Sequence, residues 1–481
     1  MSAAKRADAV VVGAGIGGLT AARALAAQGR RVVVLEAGGV AGGPLREGRF
    51  GQIDVGFDIG VESFAARGVA VSELVAELGL QAVPPAHAPA WGYSAGRTFP
   101  LPADCLLGIP AHPLRADVRR AIGLLGAARA QLDRVLPRSI GDTTSLGSLV
   151  RSRMGTAVAN RLTGLIAGGI HSASIDQLSP DVVAPGLVEA FKREGSLARA
   201  VAAVKAQGPR GGPGPKPGAG ARPGPMVLGV DGGIFRIIER LVADLGEQAG
   251  GPGQGVRLRQ RVVAVGRSND DGGDGATPAL WTVTTESGDT IEAETLVAAT
   301  PDIAPLLAPF VGAEAPSATP GAPIALVALL LDAPELAAAP RGTGMLISPD
   351  GRQGVMAKAM THLTAKWPWL DAALARTGRA GLQIVRLSYG SLDGEPIHPD
   401  LAMAQADAQH LLGLDLTGRV LDHLVQRWDG SLPPPTPAYR EALTEYLTKV
   451  ERAGSLHVVG GWIAGTGLAA IIKHAREVVS P

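Results

Sequence analysis

The run Val10-Val11-Val12-Gly13-Ala14-Gly15-Ile16-Gly17-Gly18, continued at Val32-Val33-Val34-Leu35-Glu36, decides the fold. An apolar segment enters a glycine turn that fits G-x-G-x-x-G. Leu19–Gln28 has helical composition, Gly29 ends it, and Val32–Leu35 is a second, wholly apolar strand. Together they predict a βαβ unit whose turn suits a pyrophosphate. Gly13 permits the tight bend, Gly15 lets a phosphate approach the backbone, and Gly18 lets the helix pack on the strand. Ala14, Ile16 and Gly17 complete the turn, where the helix start offers free N–H groups and the positive end of its dipole. Glu36, 18 residues past Gly18, closes the second strand with Ala37 behind it. A carboxylate there accepts from ribose hydroxyls and disfavours a 2′-phosphate.

The rest of the chain sets bounds. Its 481 residues allow roughly three lobes at about 150 residues each. With 46% apolar and 19% charged residues, a large buried core is within reach. Lys and Arg number 45 against 44 Asp and Glu, a balance that argues against a nucleic-acid binder. One cysteine, Cys105, excludes an internal disulfide framework and any CxxC motif. The longest apolar stretch, Ile324–Leu331, is under half the ~20 residues of a membrane helix. A cytoplasmic protein is expected, with no nucleic acid or metal and with peripheral membrane contact left open. Arg115–Val135, Ser148–Gly164 and Ser179–Ala206 read as helical. Gly or Pro fills 13 of the 18 positions from Gly208 to Pro225, which reads as a surface linker. Strands are expected at Arg257–Val265, Trp281–Thr285, Thr290–Ala298, Ile324–Leu331, Gly344–Ile347, Gly354–Ala359, Leu382–Tyr389 and Leu456–Val459, with a last helix from about Leu468.

Other segments carry a family resemblance. Gly42-Gly43-Pro44-Leu45-Arg46 resembles the flavin amine-oxidase-like superfamily, where such an arginine meets the pyrophosphate of FAD. Phe57-Asp58-Ile59-Gly60-Val61-Glu62-Ser63-Phe64, Gly96–Pro102 with Gly108–Pro110, Gly168–Ser179, Ala357–His362 with Ala365-Lys366-Trp367, Val385–Gly390, Trp428 and Gly465–Leu468 follow in order. Their sequence resembles the oxygen-dependent protoporphyrinogen/coproporphyrinogen oxidase family, actinobacterial type, over most of the chain. That resemblance implies an α/β fold: a GR2-type Rossmann-like FAD domain (1–80, 226–300 and 440–481), a mixed-sheet substrate domain (81–104 and 301–439), a helical lobe (105–206) and a linker (207–225). It implies flavin contacts at Gly13–Gly18, Glu36, Ala37, Gly43, Pro44, Arg46, Gly60, Val61, Glu62, Ser63, Val262, Trp428, Thr466, Gly467 and Leu468. The chain departs from the family at Pro433–Pro437, at Thr343, where some relatives place an aromatic, and in its long Gly/Pro tract.

The implied reaction is oxidation of coproporphyrinogen III, by hydride transfers to flavin and reoxidation by O2 to H2O2. Protoporphyrinogen IX is the alternative substrate. An amine oxidase or desaturase on the same fold, and a flavin-fold binding protein without catalysis, stay open. Candidates around the substrate are Arg97, Gly169, Thr343 and Leu346. Gly169 through its carbonyl and His171 as a proton shuttle are the catalytic candidates, although His171 reads first as a hydrogen-bonded structural histidine. Gly92-Tyr93-Ser94-Ala95-Gly96 matches G-x-S-x-G, yet Thr98–Pro102 after it is extended, so a hairpin is expected rather than a nucleophile elbow.

Overall fold

The computed structural model describes residues 5–137, 139, 141–171, 174–206, 227–248, 255–268, 279–316, 321–390, 395–430, 437–465 and 467–480. The 207–225 tract and most of the Pro433–Pro437 turn lie outside them.

Strand β1 (Lys5–Val12), helix α1 (Ile16–Ala27) and strand β2 (Val32–Leu35) form the expected first unit. Ala9 and Val11 pack beneath α1 with Leu19, Leu25, Ile471 and Ile472. Val10 and Val12 pack on the opposite face with Leu296, Trp281 and Leu307. A strand covered on both faces must be apolar throughout, which is why this segment is a run of Val and Ala and not an alternation. Val256–Arg257 pairs parallel with β2 and Thr290–Ala298 with β1, and Leu456–Val458 pairs parallel with Thr290–Ala298. Trp281–Thr285 and Val262–Arg267 extend the sheet antiparallel.

A second seven-stranded sheet runs Val420–Gly430, Gly321–Asp332, Leu382–Tyr389, Ala359–His362, Gly344–Ile347, Trp91–Ser94, Arg97–Pro100. It is antiparallel except where Gly344–Ile347 meets Trp91–Ser94. Ser94 is buried and precedes a turn at Ala95 (φ +52) and Gly96 (φ +74), so G-x-S-x-G is a hairpin turn.

Two strand expectations need correction. Gly354–Ala359 is a loop up to Lys358, and the strand is Ala359–His362. Gln353 (φ +45) and Gly354 (φ +88) turn the chain, and the Asp407 carboxylate takes the N–H groups of Met356 and Ala357 that a ladder would have used. Arg257–Val265 is split because the chain turns at Arg259, φ +56. The strand Val420–Gly430 was not anticipated. It is an edge strand with mixed apolar and charged residues, half-buried along most of its length, and so lacks a clean alternation.

After a small hairpin of Cys105–Leu106 with Ile109–Pro110, the described residues from Ala116 to Ala206 are mainly helical, in shorter pieces than composition suggested. Gly155 (φ +89), Gly186 (φ +82) and Gly195 (φ +69) end one helix and re-aim the next. A fully buried ion pair holds the pieces. Asp133 accepts from Arg153 Nε (2.7 Å), Ser196 Oγ (2.6 Å) and the N–H groups of Leu197 (3.0 Å) and Ala198 (2.8 Å). Arg153 donates onward to the carbonyls of Pro137 and Gly195.

Candidate functional site

Helix α1 begins at Gly15, which has φ −72 and no side-chain cap, so its first N–H groups point outward unpaired by a cap. An added Cβ on Gly18 would lie 2.0 Å from Gly13 O, and one on Gly17 would lie 2.9 Å from Gly460 Cα. Packing therefore dictates both glycines. The second glycine loop is tied to the first, because Gly42 N–H donates to Ala14 O (2.8 Å). Gly43 follows at φ +58.

Glu36 is oriented by backbone. Its Oε2 accepts from Ala14 N–H (2.8 Å) and its Oε1 from Gly38 N–H (2.7 Å). Each carboxylate oxygen retains a lone pair for a hydroxyl donor. Ala37 is exposed between them. The turn at Arg259 exists to close this end of the site: Arg259 N–H donates to Gly38 O (2.9 Å) and Gln260 N–H to Glu36 O (2.8 Å). Val262 starts its strand two residues further on.

The glycines test whether a ligand belongs here. Gly15 and Gly467 combine ordinary φ values (−72 and −80) with no protein atom within 4 Å of an added Cβ. Neither backbone conformation nor packing asks for glycine at these positions, whereas a ligand lying against the backbone would. Both start helices, α1 and Leu468–Val478, and those helix starts converge: a Cβ on Gly17 would be 3.1 Å from Ile471 Cγ2. Arg46 supplies a third sign. Its Nη1 reaches Gln426 Oε1 at 3.4 Å, while its Nε is buried without a hydrogen-bond partner. Two open helix N-termini and an unsatisfied guanidinium N–H fit a phosphate-bearing ligand.

The loop Asp58–Ser63 packs beside this surface. Gly60 leaves no room for a side chain, since its Cβ would lie 2.0 Å from Pro44 O and 3.1 Å from Trp428 Cη2. Val61 N–H donates to Pro44 O (2.9 Å). Asp58 is buried and accepts from the N–H groups of Ile234 and Phe235, both at 3.0 Å. Burial pushes its carboxyl up to about 7 against the pull of those two bonds. Arg386 Nη1 donates to three successive carbonyls, Asp58 (2.9 Å), Ile59 (3.2 Å) and Gly60 (2.6 Å). Glu62 Oε1 meets Lys366 Nζ at 2.8 Å and Arg386 Nη2 at 3.4 Å. Burial alone would raise the Glu62 carboxyl, but the two cations hold it below the usual range. Arg386 and Lys366 were not singled out as site residues in the sequence. The signal was present: one arginine inside the otherwise buried, mostly apolar strand Leu382–Tyr389 must have a partner.

Of the substrate-side candidates, Gly169 and Leu346 come together, with Leu346 Cδ2 3.5 Å from a Cβ built on Gly169. This is where the helical segment Gly164–His171 meets the second sheet. Thr343 is half-buried just before that strand, its carbonyl accepting from His362 N–H (3.0 Å). Arg97 is exposed at the hairpin. Ser63 is half-buried before the strand Phe64–Ala65. The side chain of His171 and the whole of Thr466 lie outside the described residues. Among the described residues no group of three or more His, Cys, Asp or Glu could hold a metal ion, and no helix is long and apolar enough to cross a membrane.

Comparison with known proteins sets this geometry in a family. Coproporphyrinogen III oxidases of Mycobacterium tuberculosis (strain ATCC 25618 / H37Rv) and Mycobacterium leprae (strain TN) are 27% and 29% identical to this chain, each over 98% of it and 96% of the relative. A solved structure from Exiguobacterium sp. 255-15, assigned as a protoporphyrinogen oxidase, superposes with a TM-score of 0.74 at 21% identity, covering 100% of this chain and 98% of its own. A family model described as flavin containing amine oxidoreductase matches residues 16–323. The chain belongs to the flavin containing amine oxidoreductase family, and it is a flavin-dependent oxidoreductase.

Proposed function

We propose that this chain is an FAD-dependent oxidase that converts coproporphyrinogen III to coproporphyrin III, a step of haem biosynthesis. The observation that carries this reading is the end-to-end correspondence with the two mycobacterial coproporphyrinogen III oxidases. The bound flavin would supply the electron acceptor: a porphyrinogen loses six hydrogens as three hydrides and three protons, and three O2 become three H2O2.

The residues divide the work. Gly15 and the start of α1 receive the pyrophosphate, and Arg46 neutralises part of its charge. Glu36, already held by two backbone N–H groups, accepts from the adenosine ribose, with the Arg259–Val262 segment alongside. A dinucleotide spans these two ends, which supports FAD over a mononucleotide. Pro44, Gly60 and Trp428 pack together, and the ring end is assigned there; the positive end of helix Leu468–Val478 would favour negative charge on the reduced ring. The contact of Gly169 with Leu346 would close the substrate space between the helical lobe and the second sheet, in the division of domains given by the sequence. In this reading the carbonyl of Gly169 would accept a hydrogen bond from a pyrrole N–H.

The experiment is aerobic addition of coproporphyrinogen III to the purified protein while porphyrin fluorescence is followed, with protoporphyrinogen IX and a primary amine run in parallel. Faster fluorescence gain with coproporphyrinogen III is expected. Turnover of the amine alone would overturn the substrate assignment and leave the flavin site standing.

A cytoplasmic location with contact at an anionic membrane surface completes the proposal. Residues 105–206 hold 13 Lys and Arg against 7 Asp and Glu, although the whole chain balances. Leu124 and Leu125, 70% and 89% exposed, follow the Gly123 kink, and Arg115, Arg119 and Arg120 before it are exposed as well. Exposed apolar tips with arginines nearby in sequence suit a bilayer with anionic headgroups. Co-sedimentation with anionic but not neutral vesicles, lost on Leu124→Ser/Leu125→Ser, is the expected result. Equal binding of wild type to anionic and neutral vesicles, or unchanged binding of the double variant, would refute it.

A further inference from the structure

The charges around the Asp58–Ser63 loop are more than a tether. Three ionised side chains from distant parts of the chain meet there: Glu62 from the loop, Lys366 from the short helix Leu363–Lys366, and Arg386 from the second sheet. Their side chains are only 11%, 17% and 9% exposed. The cluster holds two cations and one carboxylate. Asp58, the other acidic group of the loop, is turned toward Ile234 and Phe235, and burial pushes it up to about 7. A local excess of one positive charge therefore sits in a weakly hydrated place, where it is poorly screened. Its position is fixed by the backbone. Arg386 grips the carbonyl of Gly60, whose Cα abuts Pro44 and Trp428, and Pro44 follows Gly43, beside which an added Cβ meets no protein atom within 4 Å. The excess charge thus borders the surface that the flavin ring would occupy.

We infer that Lys366, acting through Glu62 and with Arg386, is a positioning residue that makes the flavin surroundings net positive and so favours the anionic, reduced cofactor. This rests on the flavin, not on the identity of the substrate. Charge near the ring is one of the few means by which a protein tunes a flavin. The two partners have opposite signs, so their removal must act in opposite directions, and a purely structural role has no such requirement.

The test uses the flavin-loaded full chain at pH 6, where the Asp58 carboxyl is mostly protonated. Sulfite affinity and the flavin midpoint potential are measured for wild type, Lys366→Met, Lys366→Arg and Glu62→Gln, with flavin content and thermal melting alongside. Lys366→Met should weaken sulfite binding about tenfold or more and lower the potential. Glu62→Gln should strengthen sulfite binding and raise the potential, and Lys366→Arg should stay within about threefold of wild type. Shifts in the same direction for Lys366→Met and Glu62→Gln, or none in either, would overturn the inference. So would loss of flavin from every variant, which would mark the cluster as a tether alone. A flavin-loaded wild type that does not oxidise porphyrinogens would remove the proposed substrate and leave this inference untouched.

Discussion

The glycine turn around Gly13–Glu36 and the helical region around Asp133 solve opposite problems. The turn must leave backbone bare for something that is not protein, and it does so with glycines and two uncapped helix starts. The lobe must satisfy itself, and it does so by burying Asp133 against Arg153 with six further hydrogen bonds to carbonyl, hydroxyl and N–H groups. Residues that matter for binding are therefore those with nothing around them, and residues that matter for stability are those with everything paired.

The sharpest test of that contrast is a pair of substitutions three residues apart. Gly15→Val should abolish flavin retention, by a factor of about a hundred or more in affinity, while the apoprotein melts as wild type does. No protein atom stands near the new side chain, and Gly15 has an extended backbone that valine accepts. Gly18→Val should fail to fold, because its Cβ would sit 2.0 Å from Gly13 O. Flavin absorbance and calorimetry on the two variants check both statements. A stable, fully yellow Gly15→Val would break the comparison.

In the lobe, Asp133→Ala leaves a buried guanidinium unpaired and uncaps the helix Leu197–Ala206. A loss of about 3–5 kcal/mol is expected in chemical denaturation, without direct injury to flavin affinity. Gly169→Val should lower kcat/KM for coproporphyrinogen III about tenfold with an unchanged flavin spectrum, since the added methyls press toward Leu346. A pH-linked effect concerns Asp58. Its carboxyl titrates near 7 when folded and near the ordinary 3.8 when unfolded. The folded state thus binds the extra proton between these values, and this group's contribution is full below about pH 4 and lost as pH rises through about 7. Melting of wild type relative to Asp58→Asn should fall between pH 5 and pH 8. A flat difference would show that the carboxyl is ionised throughout.

The same contrast explains what could be read without coordinates. Val10–Glu36 was legible because a tight strand–turn–helix unit constrains spacing itself, so glycine positions and a terminal acid are visible along the chain. Trp281–Thr285, Thr290–Ala298, Gly344–Ile347 and Leu382–Tyr389 were legible as β-rich runs with apolar cores and fall on those residues. The Arg259 turn and the Asp407-held loop were not, because in each a distant partner overrides local preference: Glu36 and Gly38 in one case, a carboxylate about 50 residues away in the other. Lys366 and Arg386 escaped for the same reason, as their meaning depends on Glu62, more than 300 residues earlier. The distinction between Gly15 and Gly18, identical as letters, exists only in three dimensions.

We propose that the bare surface between Gly15 and Gly467 holds a flavin dinucleotide. The test is to denature the purified protein and identify the released flavin by chromatography. FAD is expected at about one per chain in the wild type and none in Gly15→Val. Release of FMN, or a colourless wild-type protein that cannot be loaded with FAD, would contradict it.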